Sequence, residues 1–244
     1  MIKKKYISKK IPLFFLDTVD STMNEVKRSK YETYYDVAIL AKKQTNGRGR
    51  RQNIWISEKG NLYLSIRLKK RIKSNHHLVT YMASIIVYDV IKKYLPKKVK
   101  TFIKWPNDIY INNKKVAGIL IEFLSKGNII TDVIIGVGIN INNNPQKYIK
   151  SSTYLSKYSN IKIKSIDLAK SILLGLDYWT KILSTNRKII LKEWMSRSRR
   201  LNTNIKFYYD NKILSGVYKG IHEDGSIKIL MEDKIKNFFN LELT

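Results

Sequence analysis

The sequence predicts an α/β (α+β) protein: a largely antiparallel sheet flanked by helices, followed by a small β-barrel. Three observations carry this. Strand-like and helical patterns share roughly the first 200 residues; Phe102–Ile111, Val116–Leu124 and Ile129–Ile141 read as a meander; and Asn202–Thr244 breaks into short strands with tight turns.

Taken in order, the apolar stretch Pro12–Leu16 is extended and leads into Asp20-Ser21-Thr22-Met23-Asn24-Glu25. Thr22 with Glu25 reads as a capping box opening a short helix to about Ser29. Val37–Ala41 and Leu62–Leu68 read as strands. Between them lies the polar loop Lys42–Asn53, with two glycines and three arginines. Leu78, Met82, Ile85, Asp89 and Lys92 fall at helical spacing, which predicts a long helix over His77–Tyr94 packed on the sheet. Asn112-Asn113 and Ser125-Lys126-Gly127-Asn128 separate the meander strands. Ser165 to about Ser198 is helical, with Leu168, Ile172, Leu176 and Trp179 on one side. Ile205–Tyr209, Ile213–Lys219, Ser226–Leu230 and Ile235–Leu241 are the closing strands. The expected organisation is a domain over 1–200 and a smaller one over 201–244.

Composition narrows the function. The 244 residues include 43% hydrophobic and 11% aromatic side chains, enough for a real core. No run reaches the ~18 apolar residues of a membrane span. The basic stretch Lys3–Lys10 precedes too short an apolar segment for a secretory signal, so a cytoplasmic protein with no membrane partner is expected. Zero cysteines exclude a disulfide scaffold, a thiol nucleophile and a Cys-ligated zinc; three histidines are too few and scattered for a His-based metal centre. The formal charge is +28, yet lysines number 37 and arginines only 10, beside abundant Ile, Asn and Tyr. Those residues share A/T-rich codons, so the charge reads mostly as background, and no DNA partner is expected.

Three segments carry chemistry. Gly47-Arg48-Gly49-Arg50-Arg51 alternates flexible and cationic residues, the pattern of a flap able to close over a carboxylate or phosphate. A solvated basic loop or an RNA contact is the other reading. Lys104-Trp105-Pro106-Asn107-Asp108 is followed by Lys115-Val116-Ala117-Gly118. If Asn112-Asn113 is a two-residue hairpin loop, Ile111 pairs with Lys114, Tyr110 with Lys115 and Asp108 with Ala117. Lys104, Asp108 and Lys115 then share a face. A surface hairpin edged with lysine is the alternative. In Gly136-Val137-Gly138-Ile139-Asn140, two glycines strip one strand face, leaving a surface for a planar ligand or a site of tight packing.

As a set, Gln44-x-x-Gly47-Arg48-Gly49-Arg50-Arg51, Trp55, Lys104-Trp105-Pro106-Asn107-Asp108, Lys115-x-Ala117-Gly118-Ile119-Leu120-x-Glu122 and Gly136-x-Gly138-x-Asn140 resemble the biotin protein ligases, and upstream Ser21-Thr22 fits too. The resemblance implies a mixed sheet related to class II synthetase cores and an SH3-like C-terminal domain. It also implies an ATP-dependent ligase that forms biotinyl-5′-AMP and then biotinylates a lysine of a carboxylase biotin acceptor domain, with ATP and Mg²⁺. Because the pattern starts close to Met1, the enzyme-only form without a DNA-binding domain is expected. Homodimer formation is left open.

Residue by residue, the resemblance assigns Ser21, Thr22 and Gln44 to the biotin head group, and Arg48, Gly49 and Arg50 to a flap over biotin and phosphate. Lys115 would hold the biotin carboxylate and the phosphate, with Gly118 beside it. Trp55 would stack on adenine, Asn107 and Asn140 would support the nucleotide, and Asp108 would contact Mg²⁺. Lys115 and Arg50 are thus the catalytic candidates. Two departures stand out: Met23 where the family often has Asn, and Gln52-Asn53 where it commonly has Gly and a basic residue. Lipoate ligation or octanoyl transfer is the nearest rival; a nucleic-acid-binding protein or an inactive binding module are others.

Overall fold

A computed structural model of the chain describes residues 3–6, 11–69, 76–145, 151–198 and 201–243. The basic run Lys3–Lys10 is therefore described only from Lys3 to Tyr6, and the boundary expected near residue 200 falls at 199–200, outside the described residues.

Eight strands form one mixed sheet. They are β1 (Lys3–Tyr6), β2 (Pro12–Val19), β3 (Asp36–Gln44), β4 (Leu62–Lys69), β5 (Thr101–Lys104), β6 (Asp108–Ile111), β7 (Lys114–Lys126) and β8 (Ile129–Ile139), in the order β1-β2-β3-β4-β8-β7-β6-β5. Among the described strands, β2 and β3 alone pair in parallel. Their crossover carries one α-helical turn, α1 (Thr22–Glu25), and a 3-10 turn over Ser29–Tyr31. The long helix α2 (His76–Lys92) lies on the opposite face, backed by α3 (Ser165–Thr185) and α4 (Arg187–Arg197). Leu64, Ile66, Ile135, Val137, Ile119 and Ile121 from the sheet join Met82, Ile85 and Ile86 of α2 and Leu168, Leu173 and Trp194 of α3 and α4 in the main core. A smaller cluster, including Phe14, Val26, Tyr31, Ile39 and Ile134, sits under α1 on the other face. A second, antiparallel sheet follows: β9 (Asn204–Tyr209), β10 (Lys212–Ile221), β11 (Ile227–Met231), β12 (Lys234–Phe238) and β13 (Glu242–Leu243), ordered β12-β11-β10-β9-β13.

Four local expectations are corrected. Phe102–Ile111 is two strands, β5 and β6, because Pro106 has no N–H to continue a ladder and the chain turns over Trp105–Asn107. The helix from Ser165 divides at Asn186, whose non-helical backbone (φ −147°, ψ 86°) ends α3 and starts α4. The N-cap of α1 is Ser21, whose Oγ accepts from the Met23 N–H at 3.2 Å; no capping box forms. Glu25, 1% exposed, turns instead to Arg28 (2.8 Å), Lys30 (2.6 Å) and the Tyr31 hydroxyl (3.0 Å). Finally, Asn112 and Asn113 do form the two-residue turn, both with positive φ, and Ile111↔Lys114 and Tyr110↔Lys115 pair as expected. A bulge at Val116 then shifts the register, so Asp108 faces Gly118 and not Ala117.

A cleft between the flap and the glycine strip

The register builds the site. Cross-strand partners share a face, so Tyr63 (β4), Gly138 (β8), Gly118 (β7), Asp108 (β6) and Lys104 (β5) form one row across five strands on the α1 side. The next row is Ser65–Gly136–Leu120, and the third is Arg67–Ile134–Glu122. A cleft of about 450 Å³ opens over the first two rows. Thr22, Gln44, Arg48, Gly49, Arg50, Trp55, Asn107, Asp108, Lys115, Gly118 and Asn140 all line it. Of the candidate residues, Ser21 alone does not; its hydroxyl is spent on the α1 cap.

At one end the walls are polar. The Thr22 N–H and Oγ1 both donate to Gln44 Oε1 (2.7 and 2.9 Å), Ser65 Oγ donates to Thr22 Oγ1 (2.8 Å), and Gln44 Nε2 donates to Ser57 Oγ (2.8 Å). Ser57 and Ser65 escape the sequence reading. Ser65 had a signal, as the one small hydroxyl inside the apolar strand Leu62–Leu68. Behind α1, buried Arg67 donates to the carbonyls of Val26, Tyr31 and Tyr34, fastening the segment after the helix to the sheet.

At the other end the cleft is cationic. Lys115 Nζ lies 2.7 Å from Asp108 Oδ1 and 5.3 Å from the Trp55 ring centroid. Trp55 lies flat against the strip, where a Cβ on Gly138 would meet its indole at 2.5 Å. The Trp55 Nε1 and Asn140 Oδ1 atoms are buried here with no hydrogen-bond partner. Asn140 is otherwise fixed by its Nδ2 donating to the Thr153 carbonyl.

The flap is folded over this end. Gly49 N–H donates to Asn53 O and Trp55 N–H to Gly47 O, closing a compact loop. Its arginines reach four separate parts of the fold: Arg48 to Glu122 of β7 (2.5 Å) and Asn24 of α1 (3.0 Å), Arg50 to Asn107 Oδ1 in the β5–β6 turn (3.1 Å), and Arg51 to Glu242 of β13 (3.0 Å). Burial draws the Arg50 guanidinium below its usual pKa, while Asp108 pushes it back up. Asn107 Nδ2 in turn donates to Ile119 O, and Trp105 Nε1 donates to the Tyr81 hydroxyl, which donates to Gly225 O of the second sheet.

For a metal, the donor set is thin. Among the described residues no three His, Cys, Asp or Glu side chains cluster. Asp108 can offer one carboxylate, which fits a Mg²⁺ that keeps its water and arrives on a nucleotide phosphate, not a protein-built cage.

The profile of the biotin/lipoate A/B protein ligase family matches residues 15–140, the span that carries the flap, the strip and Lys115. The chain belongs to this family. Family membership alone admits either biotin or lipoate chemistry, and the individual relatives are narrower. The bifunctional ligase/repressor BirA of Bacillus spizizenii is 29% identical over 239 residues, covering 95% of this chain and 73% of the relative. The biotin–[acetyl-CoA-carboxylase] ligase of Paracoccus denitrificans is 24% identical over 78% of this chain and 82% of its own length. The solved biotin protein ligase of Aquifex aeolicus in complex with biotin and ATP matches with a TM-score of 0.81 and 28% identity, over 95% of this chain and 97% of that one. The fold likeness thus extends through the second sheet. No helix among the described residues is long and apolar enough to cross a membrane.

Proposed function

We propose that this protein is an ATP-dependent biotin–protein ligase of the cytoplasm, joining biotin and ATP to give biotinyl-5′-AMP and pyrophosphate, then passing biotin to a lysine of a carboxylase acceptor domain. The observation that carries the reading is one apolar floor, Met23 and Trp55 seated on the glycine strip Gly136–Gly138–Gly118, with a hydrogen-bonding wall at one end and Lys115 and Arg50 at the other. A ligand with a polar head, an apolar middle and a carboxylate tail fits that order of surfaces.

The chemical difficulty is bringing a carboxylate up to a triphosphate. Two like charges about 4 Å apart repel by roughly 4 kcal/mol at an effective dielectric near 20. In the proposed mechanism Thr22 and Gln44 hold the head group, with Ser57 and Ser65 orienting them, and Ser21 acts through the α1 cap. Lys115 exchanges its contact with Asp108 for the biotin carboxylate and the α-phosphate, so the cation is already aimed where negative charge gathers. Arg48, Gly49 and Arg50 close over the two substrates and exclude water; Arg50 is held toward the cleft by Asn107. The unpartnered Trp55 Nε1 and Asn140 Oδ1 are offered to the nucleotide, Trp55 also giving its face to adenine. Bound Mg²⁺ would screen phosphate charge, with Asp108 as its protein contact. In the second step a lysine amine of the acceptor attacks the adenylate's activated carbonyl, forming the amide as the acyl–phosphate bond breaks and AMP leaves.

The test is transfer itself. Incubation with ATP, biotin and an isolated carboxylase acceptor domain should give one biotin per acceptor by intact mass, and none on a lipoyl acceptor domain. Modification of the lipoyl domain with lipoate, and none of the biotin acceptor, would overturn the substrate.

A further inference from the structure

The floor of the head-group end is not polar. Met23, 3% exposed on α1, lays its thioether over Gly136, where a Cβ would stand 2.5 Å from Sδ and 3.2 Å from Cγ. The bare backbone of Gly136 therefore serves Met23, as that of Gly138 serves Trp55. In the same row Ser65 stands on one side of Gly136 and Leu120 on the other. Ser65 leads to the Thr22–Gln44 network, while Met23 and Leu120 give that end of the cleft an apolar surface.

We infer that Met23 is a specificity determinant of the proposed ligase: its thioether, seated on Gly136, meets the ring-sulfur side of the ligand's fused bicycle and selects an unoxidised sulfur. The inference rests on the biotin reading above. The ureido group needs donors and acceptors, which the Thr22–Gln44–Ser57–Ser65 wall supplies. The carboxylate must run toward Lys115, along a strip whose two β8 glycines are separated by roughly 7 Å of strand. With those two sides of the ligand committed, its sulfur side is left to Met23, seated on Gly136, and to Leu120. A polarizable, adaptable thioether packs well against that apolar side of the ring. A sulfone would bring two strong acceptors against a surface with no donor to meet them, and would be rejected for leaving them unpaired.

The experiment compares kcat/KM for biotin and for biotin sulfone in ATP–pyrophosphate exchange, using wild type, Met23→Leu and Met23→Asn. Circular dichroism melts establish folding, and Met23→Ala replaces the Asn variant should that one fail to fold. Met23→Leu keeps an apolar floor and should hold the sulfone-to-biotin ratio within about threefold of wild type. Met23→Asn supplies an amide donor and should raise that ratio by about tenfold or more; Met23→Ala should do so by admitting water. A smaller rise, or an equal rise in Met23→Leu, overturns the assignment. Wild type without biotin-dependent exchange overturns the ligase reading itself, and is seen before any variant is compared.

Discussion

Lys115 is legible in the sequence because the Asn112-Asn113 turn fixes which residue stands beside Tyr110. Its ion pair with Asp108 survives the bulge at Val116, since Asp108 and Tyr110 stay on one face whatever stands opposite them. Ser57, Ser65 and Arg67 are different. Each acts through partners from 13 to 43 residues away, and beyond the lone hydroxyl of Ser65 in an apolar strand nothing local announces the network. Their importance can be measured. Gln44→Ala leaves the Thr22 donors and Ser57 without their partner, so it should raise KM for biotin about tenfold or more while changing kcat less. A titration of initial rate against biotin checks this. Arg67→Met leaves three carbonyls without their donor and should lower stability by about 2–4 kcal/mol in urea unfolding. It should also weaken biotin binding, because the segment behind α1 is no longer tied down.

Among elements, the long ones were legible and the joints were not. β4 and α2 have lengths and periodicities that the core enforces, and they lie within a residue or two of expectation, while β3 runs three residues past its expected end at Ala41, into polar Lys42–Gln44. The turn at Pro106 and the break at Asn186 were missed because the apolar spacing resumes in step beyond each, from Ile103 and Trp105 to Ile109 and Ile111 and from Leu183 to Ile190. The seam between α2 and the second sheet is likewise invisible in sequence: His77 packs on Phe239 at 5.3 Å, and Gly225, with φ +93°, comes hard against His77. Gly225→Ala should cost about 2 kcal/mol, from a left-handed backbone and a clash, read as a fall in midpoint denaturant. Burial, chiefly, holds the His77 pKa below its usual value, with His76 and Arg50 adding to the effect and Asp224 opposing it. A histidine kept neutral in the fold but free to charge when unfolded gives stability that falls as pH drops below its unfolded value of about 6.5. Thermal melts at pH 7.5 and 5.5 should show that loss, and His77→Phe should shrink the difference. An equal difference in wild type and variant would remove His77 from the account.

At the scale of the molecule, the charge is unevenly spread. Residues 201–244 hold six lysines against six acids, so the whole +28 belongs to residues 1–200. Lysine is about equally frequent in both parts, 31 in residues 1–200 and 6 in 201–244, as codon bias would have it; what leaves the cleft-bearing portion basic is its scarcity of acids, 13 in 200 residues against 6 in 44. Long-range attraction of that kind speeds encounter with an acidic partner and is screened by salt. Transfer to an acceptor domain should slow by roughly tenfold between about 50 and 500 mM salt, while adenylation changes much less. Equal salt dependence of the two steps would deny the surface a role in docking. Fold class and the flap-to-strip plan were legible because glycines and arginines are rare enough in this chain to be conspicuous where they gather. The mutual seating of flap, α1 and second sheet was not, since Arg48–Glu122, Arg50–Asn107 and Arg51–Glu242 join residues far apart in the chain.

Everything turns on whether the cationic end of the cleft activates a biotin carboxylate. ATP–pyrophosphate exchange with Mg²⁺ and biotin, lipoate or octanoate, in wild type and Lys115→Ala, addresses that directly. The account predicts exchange with biotin alone, lowered by about 100-fold or more in Lys115→Ala with the fold intact. Exchange driven by lipoate or octanoate, or biotin-dependent exchange undiminished in Lys115→Ala, would contradict it.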